Sequence, residues 1–320
     1  MRGDLVDNLE GLVIRTQSGF LTVNTDQGEF ICRLRGRLKQ EDAEGDIAAV
    51  GDLVTIFPHA DGEAVIVKVH PRKSAISRLR TGIKRDFRQI LLANPDLMVI
   101  VFACADPEPH LRMMDRFLVI AEKQQVNALI LANKVDLVEP AQAKAVFGVY
   151  ENLGYPVLYT SAHTGQGVEA LSMALRDKIS VLTGPSGVGK SSLLNLVQPG
   201  LGLQVRTISE ATSKGRHTTQ VRQLFPLEIG GYVGDTPGIR SLALWDTEPE
   251  ELDAYFVEMR DLVSECKFSD CTHTHEPGCA VRQAVEAGEV ALQRYHSYLR
   301  LRFEDDADTF VEDFGDASEL

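Results

Sequence analysis

The most constraining feature of this sequence is the stretch Gly184-Pro185-Ser186-Gly187-Val188-Gly189-Lys190-Ser191, of the form G-x-x-x-x-G-K-S. It follows the apolar run ISVLT (179–183) and opens the helix-forming run SSLLNLV (191–197). A strand feeding a helix through such a loop is the setting in which backbone N–H groups cradle phosphates. The glycines let the chain curl around phosphate oxygens, and the helix N-terminus adds the positive end of its dipole. Lys190 is expected to reach the β- and γ-phosphates, and Ser191, with Ser192 beside it, to meet Mg²⁺. In isolation the same letters also describe a glycine-rich turn with a solvated lysine.

The flanking pattern supports the phosphate-loop reading. LMVIVFA (97–103), NALILAN (127–133) and PVLYTSA (156–162) read as buried strands, with helices expected near 111–125, 140–152 and 167–178. Alternating strand and helix predict a doubly wound α/β domain over 93–240.

Three segments select the base and complete the site. Asn133-Lys134-Val135-Asp136 closes a strand, where open sheets bind ligands. A carboxylate at Asp136 accepts the N1–H and the exocyclic amine of guanine, a donor pair that adenine lacks. Asn133 can tie loops together, and the Lys134 stem can cover the base. Alone, this tetrapeptide is a weak signal. Ser161-Ala162 ends the next strand, with backbone N–H groups suited to the guanine O6. Asp235-Thr236-Pro237-Gly238 follows GGYVG; Asp235 would meet Mg²⁺ through water and the Gly238 N–H the γ-phosphate. Together the four segments specify GTP.

Between the phosphate loop and Asp235 lies TSKGRHTT (212–219). A threonine is needed there to close on Mg²⁺ and γ-phosphate, and Thr218 and Thr219 are equal candidates. Many GTPases place a water-orienting glutamine after D-x-x-G, whereas this chain has Ile239, which cannot hydrogen-bond water. Intrinsic turnover is therefore expected to be slow. His217 is the nearest polar substitute, although a histidine that only meets solvent or a partner fits the sequence slightly better. The order is also unusual: N-K-x-D and S-A precede the phosphate loop, and D-T-P-G comes last. Joining the old ends and opening a new break preserves the sheet, so a circularly permuted domain is expected. The break falls just after D-T-P-G, which suggests that γ-phosphate state passes to the C-terminal segment.

Residues 11–34, 49–58 and 63–69 show period-two alternation with turn signals at Ser18-Gly19 and Gln27-Gly28, fitting a five-stranded barrel of the OB type over 1–70. The formal charge is −13, which by itself argues against nucleic acid. Its distribution alters that: 72–88 carries +6 (seven Lys/Arg against Asp86) and 301–320 carries −7 (eight Asp/Glu against Arg302). A basic linker over 71–92 and an acidic, frayed tail over 304–320 are expected. No apolar run nears the roughly 18 residues needed to span a bilayer. The start of the chain does not read as a secretion signal, so the expectation is a cytoplasmic protein with no membrane partner.

After about 240 the strands stop, and helices are expected over 248–264 and 280–303. Between them Cys266-x4-Cys271-x-His273-x5-Cys279 offers three thiolates and an imidazole. Four protein ligands make a closed, structural zinc site, one Zn²⁺ per chain, stapling a segment too short to bury its own core. Spacing leaves His273 and His275 both open as the fourth ligand.

With these motifs assembled, NKVD (133–136), GPSGVGKSS (184–192), GRHTT (215–219), DTPG (235–238) and CKFSDCTHTHEPGC (266–279), the chain resembles the circularly permuted GTPases that assist maturation of the small ribosomal subunit. The resemblance covers about 1–303. It implies an N-terminal OB-fold, a permuted G domain and a C-terminal zinc domain over 241–303. It also implies zinc on Cys266, Cys271, His273 and Cys279, and a catalytic part for His217. The function implied is ribosome-stimulated hydrolysis of GTP to GDP, with 30S subunits and rRNA as partners; a monomer is expected. Two other readings compete. One is a switch that acts on a protein partner with little turnover, favoured by Ile239 and the net charge. The other is a zinc-stapled RNA-binding protein with an inactive G domain, disfavoured by the intact Lys190, Ser191, Asp235 and Asp136.

Overall fold

The structure, a computed structural model, describes residues 8–36, 46–59, 63–80, 87–201, 222–235 and 247–303. The chain forms two compact units, Met1–Asp246 and Thr247–Leu320.

The first unit opens with five short strands: β1 (Leu9–Gln17), β2 (Phe20–Thr25), β3 (Gly28–Leu34), β4 (Leu53–Pro58) and β5 (Glu63–Val69). Their pairing runs β1-β2-β3-β5-β4 and closes back on β1, with β3 and β5 parallel and the rest antiparallel. This closed five-stranded order is the OB-type barrel that the alternation predicted. Alternate residues fill it: Val13, Leu21, Val23, Cys32, Val54, Ile56, Ala64 and Ile66 form its core.

The basic stretch expected as a linker carries regular structure. Strands β6 (Ala75–Arg80) and β7 (Phe87–Ala93) pair as an antiparallel hairpin. Its base is clamped to the barrel: the Ala93 N–H donates to the Val50 carbonyl (2.8 Å) and the Ile90 N–H to Asp46 Oδ2 (3.0 Å). Arg72, counted among the basic charges, turns inward. Its Nε and one Nη donate to the buried Asp52 carboxylate at 2.7 and 2.8 Å. The hairpin is masked in the sequence by the run of Lys and Arg over 72–88, which reads as a charged linker although Ile76, Ile90, Leu91 and Leu92 are buried.

The α/β part follows: β8 (Leu97–Ala103), α1 (Leu111–Lys123), β9 (Asn127–Asn133), α2 (Pro140–Asn152), β10 (Val157–Tyr159), α3 (Val168–Leu175), β11 (Ile179–Thr183), α4 (Lys190–Val197), β12 (Arg222–Pro226) and β13 (Tyr232–Asp235). The sheet runs β10-β9-β8-β11-β13-β12, parallel except for β12. Every residue of β8 is buried, as its unbroken apolar sequence requires at the centre of a sheet covered on both faces. The sheet then continues into the barrel. Beyond a bulge between Val13 and Arg15, β1 lays Arg15 and Thr16 against Gln223 and Arg222 of β12. Asn24 Nδ2 also donates to the Tyr232 hydroxyl at 2.8 Å.

The second unit is helical but more broken than its sequence suggested. The single helix expected over 248–264 is a 3₁₀ stretch (Pro249–Tyr255), a short α5 (Val257–Arg260) and another 3₁₀ turn (Val263–Glu265). Tight turns bring Leu252, Asp253, Phe256 and Met259 inward together. The helix expected over 280–303 divides into α6 (Ala280–Glu286) and α7 (Leu292–Phe303), because the Glu289 and Val290 N–H groups both fold back on the Ala284 carbonyl and close the first helix. The acidic stretch 304–320 lies outside the described residues.

Removing one partner of the buried Asp52–Arg72 pair strands the other, so Asp52→Ala is expected to lose about 3 kcal/mol. Equilibrium urea unfolding followed by circular dichroism measures this; a change below about 0.5 kcal/mol, the range of ordinary surface substitutions, overturns the assignment.

Candidate functional site

The phosphate loop lies between the C-terminal end of β11 and the start of α4. Gly184 has φ +131°, and a Cβ there would stand 2.1 Å from the Val101 carbonyl oxygen; at Gly189, with φ +96°, it would stand 2.3 Å from Asn133 Nδ2. Neither position admits a side chain, so both letters of the motif follow from space as well as backbone angle. Lys190 is nearly buried, with its ammonium inside the loop, donating to the carbonyls of Gly184 (2.9 Å) and Pro185. Ser191 and Ser192 are half-buried in the first turn of α4. Pro185, Ser186, Gly187 and Val188 complete the curl, with Val188 packed into the sheet core.

Asn133 ties this loop to the turn after β9. Its fully buried Nδ2 donates to the Val188 carbonyl at 2.7 Å, and its Oδ1 accepts from the Thr160 hydroxyl at 3.1 Å. Lys134 takes the left-handed conformation (φ +61°) and its Nζ donates to the Asp106 carbonyl. That turn starts the 3₁₀ segment Val135–Leu137 and exposes Asp136. The Ser161 hydroxyl donates to Asp136 Oδ1 at 2.5 Å while accepting from the His163 and Thr164 N–H groups. The Ser161 hydroxyl holds the Asp136 carboxyl below the usual carboxylate range, so it stays an acceptor. Ala162 lies half-buried next to it.

Asp235 ends β13, its Cα paired with Gln223, one strand away from the β11 that launches the phosphate loop. His217, Thr218, Thr219 and Gly238 lie outside the described residues. Sequence reasoning passed over Thr160 and Asp106; the first is legible as a threonine just past the end of a strand, and the second has no local signature.

In the second unit, ligand atoms of Cys266, Cys271, His273 and Cys279 all lie within 4.8 Å of one another, the one such group of three or more among the described residues. Burial pushes the Cys271 thiol up to about 12 and raises Cys279 as well, so these two thiols lie where a bound cation would favour their thiolates. The donor set fits a closed tetrahedral metal ion. His275, left open by spacing, is exposed, with Nδ1 at 2.8 Å from the Thr274 hydroxyl. The separation is imposed by Glu276. One oxygen accepts from the Thr272 N–H (2.8 Å) and hydroxyl, and the other from the N–H groups of Thr274 and His275 (3.0 and 3.1 Å). Burial pushes this carboxyl up, but the Thr272 hydroxyl and these N–H groups outweigh it and hold it well below its ordinary range. Of the other cysteines, Cys32 fills the barrel core and Cys104 starts the loop after β8.

A doubly wound sheet whose base-reading segments precede its phosphate loop, fused to an OB-type barrel, is a circularly permuted P-loop GTPase architecture. The RsgA GTPase family model matches residues 69–245, and the RsgA N-terminal domain model matches 10–66. A small ribosomal subunit biogenesis GTPase RsgA from Gemmatimonas aurantiaca is 49% identical over 298 residues, covering 92% of this chain and 96% of the relative. The crystal structure of YjeQ from Thermotoga maritima superposes with a TM-score of 0.76 at 37% identity, over 93% of this chain and 98% of that one. YloQ, described as a circularly permuted GTPase, gives 0.73 at 32% identity, over 94% and 96%. The chain belongs to the RsgA GTPase family and is a GTP hydrolase.

Asp136→Asn is expected to weaken GTP by about 100-fold, the equivalent of about 3 kcal/mol for a charged hydrogen-bond acceptor, and to favour xanthosine triphosphate. Fluorescent-nucleotide titration reads both, and retained GTP preference overturns the role. Since the Asp136 pKa is depressed, its contribution is present above the ordinary carboxylate range and is lost only as pH falls through the lowered value. Preference for guanine should therefore stay level from about pH 8 to 5.

Proposed function

We propose that this chain binds GTP with Mg²⁺, hydrolyses it faster on the small (30S) ribosomal subunit, and serves late maturation of that subunit with rRNA in contact. The observation that carries this reading is the match, over nearly the whole chain, to relatives named small ribosomal subunit biogenesis GTPases. Within it, Asp136 reads guanine, with Asn133, Lys134 and Val135 shaping the pocket and Ser161-Ala162 closing it. Residues 184–192 hold the phosphates, and Ser191 and Asp235 attend Mg²⁺. Gly238 would meet the γ-phosphate. Thr218 or Thr219 would close on the metal ion, and His217 would position water in place of the glutamine that Ile239 displaces.

The charge pattern supports an RNA partner through the hairpin region 72–88, less Arg72, which Asp52 already engages. Binding by phosphate contact would weaken steeply with salt. Zinc on Cys266, Cys271, His273 and Cys279 would be structural, since four protein ligands leave no open position. We assign the barrel to 1–70, the G domain to 93–240, the metal domain to 241–303 and an acidic tail to 304–320. Among the described residues no helix is long and apolar enough to cross a membrane. A monomeric, cytoplasmic protein is the form proposed. Ile239 favours one alternative, a switch for a protein partner with little turnover of its own.

Steady-state GTP hydrolysis with and without 30S subunits tests the proposal. Stimulation of at least tenfold, about 1.4 kcal/mol of barrier, is expected, with His217→Ala abolishing most of it. GTP bound but no stimulation would transfer the case to the protein-partner switch. Zinc removal tests the metal assignment: chelation should unfold residues 247–303 while leaving nucleotide binding in place, and a chain purified without zinc would refute it.

A further inference from the structure

We propose that Asp253 is the outer partner of the metal centre: it holds His273 in the Nε2–H tautomer, so that Nδ1 is the nitrogen offered to the ion. The proposal rests on the zinc reading above and extends it to a residue outside the cysteine motif.

The His273 ring is oriented at both of its nitrogens. Nδ1 faces the thiols, 3.6 Å from Cys266 Sγ and 3.4 Å from Cys279 Sγ. Nε2 faces away, 3.2 Å from Asp253 Oδ2. His273 is fully buried and Asp253 nearly so. The backbone is pinned as well: the Tyr295 hydroxyl donates to the His273 carbonyl at 2.6 Å, and the Tyr298 ring packs 5.8 Å from the imidazole. A neutral imidazole has one N–H, and the better acceptor decides which nitrogen keeps it. Here the carboxylate lies on the Nε2 side. The Nδ1 lone pair is thereby left for a cation, an arrangement that orients a ligating histidine and makes it a stronger donor.

Asp253 is singled out by its setting. The 3₁₀ stretch Pro249–Tyr255 carries three acids, Glu250, Glu251 and Asp253. The two glutamates are exposed and only Asp253 turns inward. The same inward turn seats Leu252 and, just beyond it, Phe256, whose ring lies under the Arg294 guanidinium that Glu258 pairs at 2.6 Å. The contact therefore joins the opening turn of this unit to its metal loop. Occupancy of the metal site and docking of 249–255 should then be coupled.

The test uses the full-length zinc-loaded protein with Asp253→Ala and Asp253→Asn. Zinc transfer to a chromophoric chelator gives affinity, Co²⁺ substitution gives the thiolate charge-transfer bands, and ¹⁵N shifts of His273 give the tautomer. Asp253→Ala is expected to weaken zinc 10- to 100-fold, the usual range for such outer partners. Asp253→Asn, whose carbonyl still accepts from Nε2–H, should retain most of the affinity. The cobalt bands should be unchanged in both, since the ligands are the same. Wild type should show a protonated Nε2. Unchanged zinc affinity in Asp253→Ala, or an unprotonated Nε2 in the wild type, overturns the proposal while leaving the metal site standing. A wild type that holds no metal defeats the zinc reading itself. Should Asp253→Ala fail to fold, the wild-type Nε2–H proton decides: a strongly downfield resonance, as for an N–H donated to a carboxylate, is expected, and its absence overturns the proposal.

Discussion

The carboxamide of Asn133 is the contact that holds the loop at 184–191 to the ends of two neighbouring strands. It reaches the phosphate loop through Val188 and the next strand end through Thr160, so three segments remote in sequence share one buried side chain. The turn at 134–137 is thereby tied to the loop at 184–191, in whichever order the chain visits them. Contacts of this kind join loops across the sheet, independently of chain order. The sheet supplies positions at the ends of β8, β9, β10 and β11, and Asn133 joins the loops that leave them. Lys134 extends the same network to the loop after β8.

The second unit solves a different problem. Its helices are short, and no sheet lies among its described residues to supply a long apolar face. Order comes instead from polar groups held at close quarters: a glutamate gathering the backbone of its loop, an arginine paired with Glu258 and stacked on Phe256, and the four metal donors. Buried charge pairs of this kind add little net stability but penalise alternatives heavily, because a misplaced partner leaves a charge without compensation. The four donors could hold a metal ion, which would give such a unit its central contact.

Much of this was legible in the sequence, for reasons that can be named. Continuous apolar runs revealed β8 and β9, since strands buried on both faces have no polar side to show. Alternation revealed the barrel. The phosphate loop and the cysteine spacing were visible because both are local, each needing a few residue types in a short window. What escaped was non-local or sterically subtle. The hairpin strands within 75–93 read as a charged linker because Lys and Arg dominate 72–88, which hides the apolar positions Ile76, Ile90, Leu91 and Leu92 that the structure buries. Asp253 and Asp106 act on partners more than 19 residues away in sequence, with no pattern around them to mark the link. The break of the last helix depends on two N–H groups competing for one carbonyl at Ala284. The choice between His273 and His275 depended on Glu276, which sorts the two histidines by capturing the backbone around them.

The shared strand β1 has a consequence for anyone who treats the barrel as a detachable cassette. In most multidomain chains the seam between modules follows a linker that can be cut. Here it follows a row of hydrogen bonds between Arg15–Thr16 and Gln223–Arg222. Excising the barrel would strip β12 of a partner and leave it as an open sheet edge, the kind of surface that recruits foreign strands and drives aggregation. Insolubility of a trimmed G domain would therefore report an uncovered edge, and should not be mistaken for a lost function of the barrel.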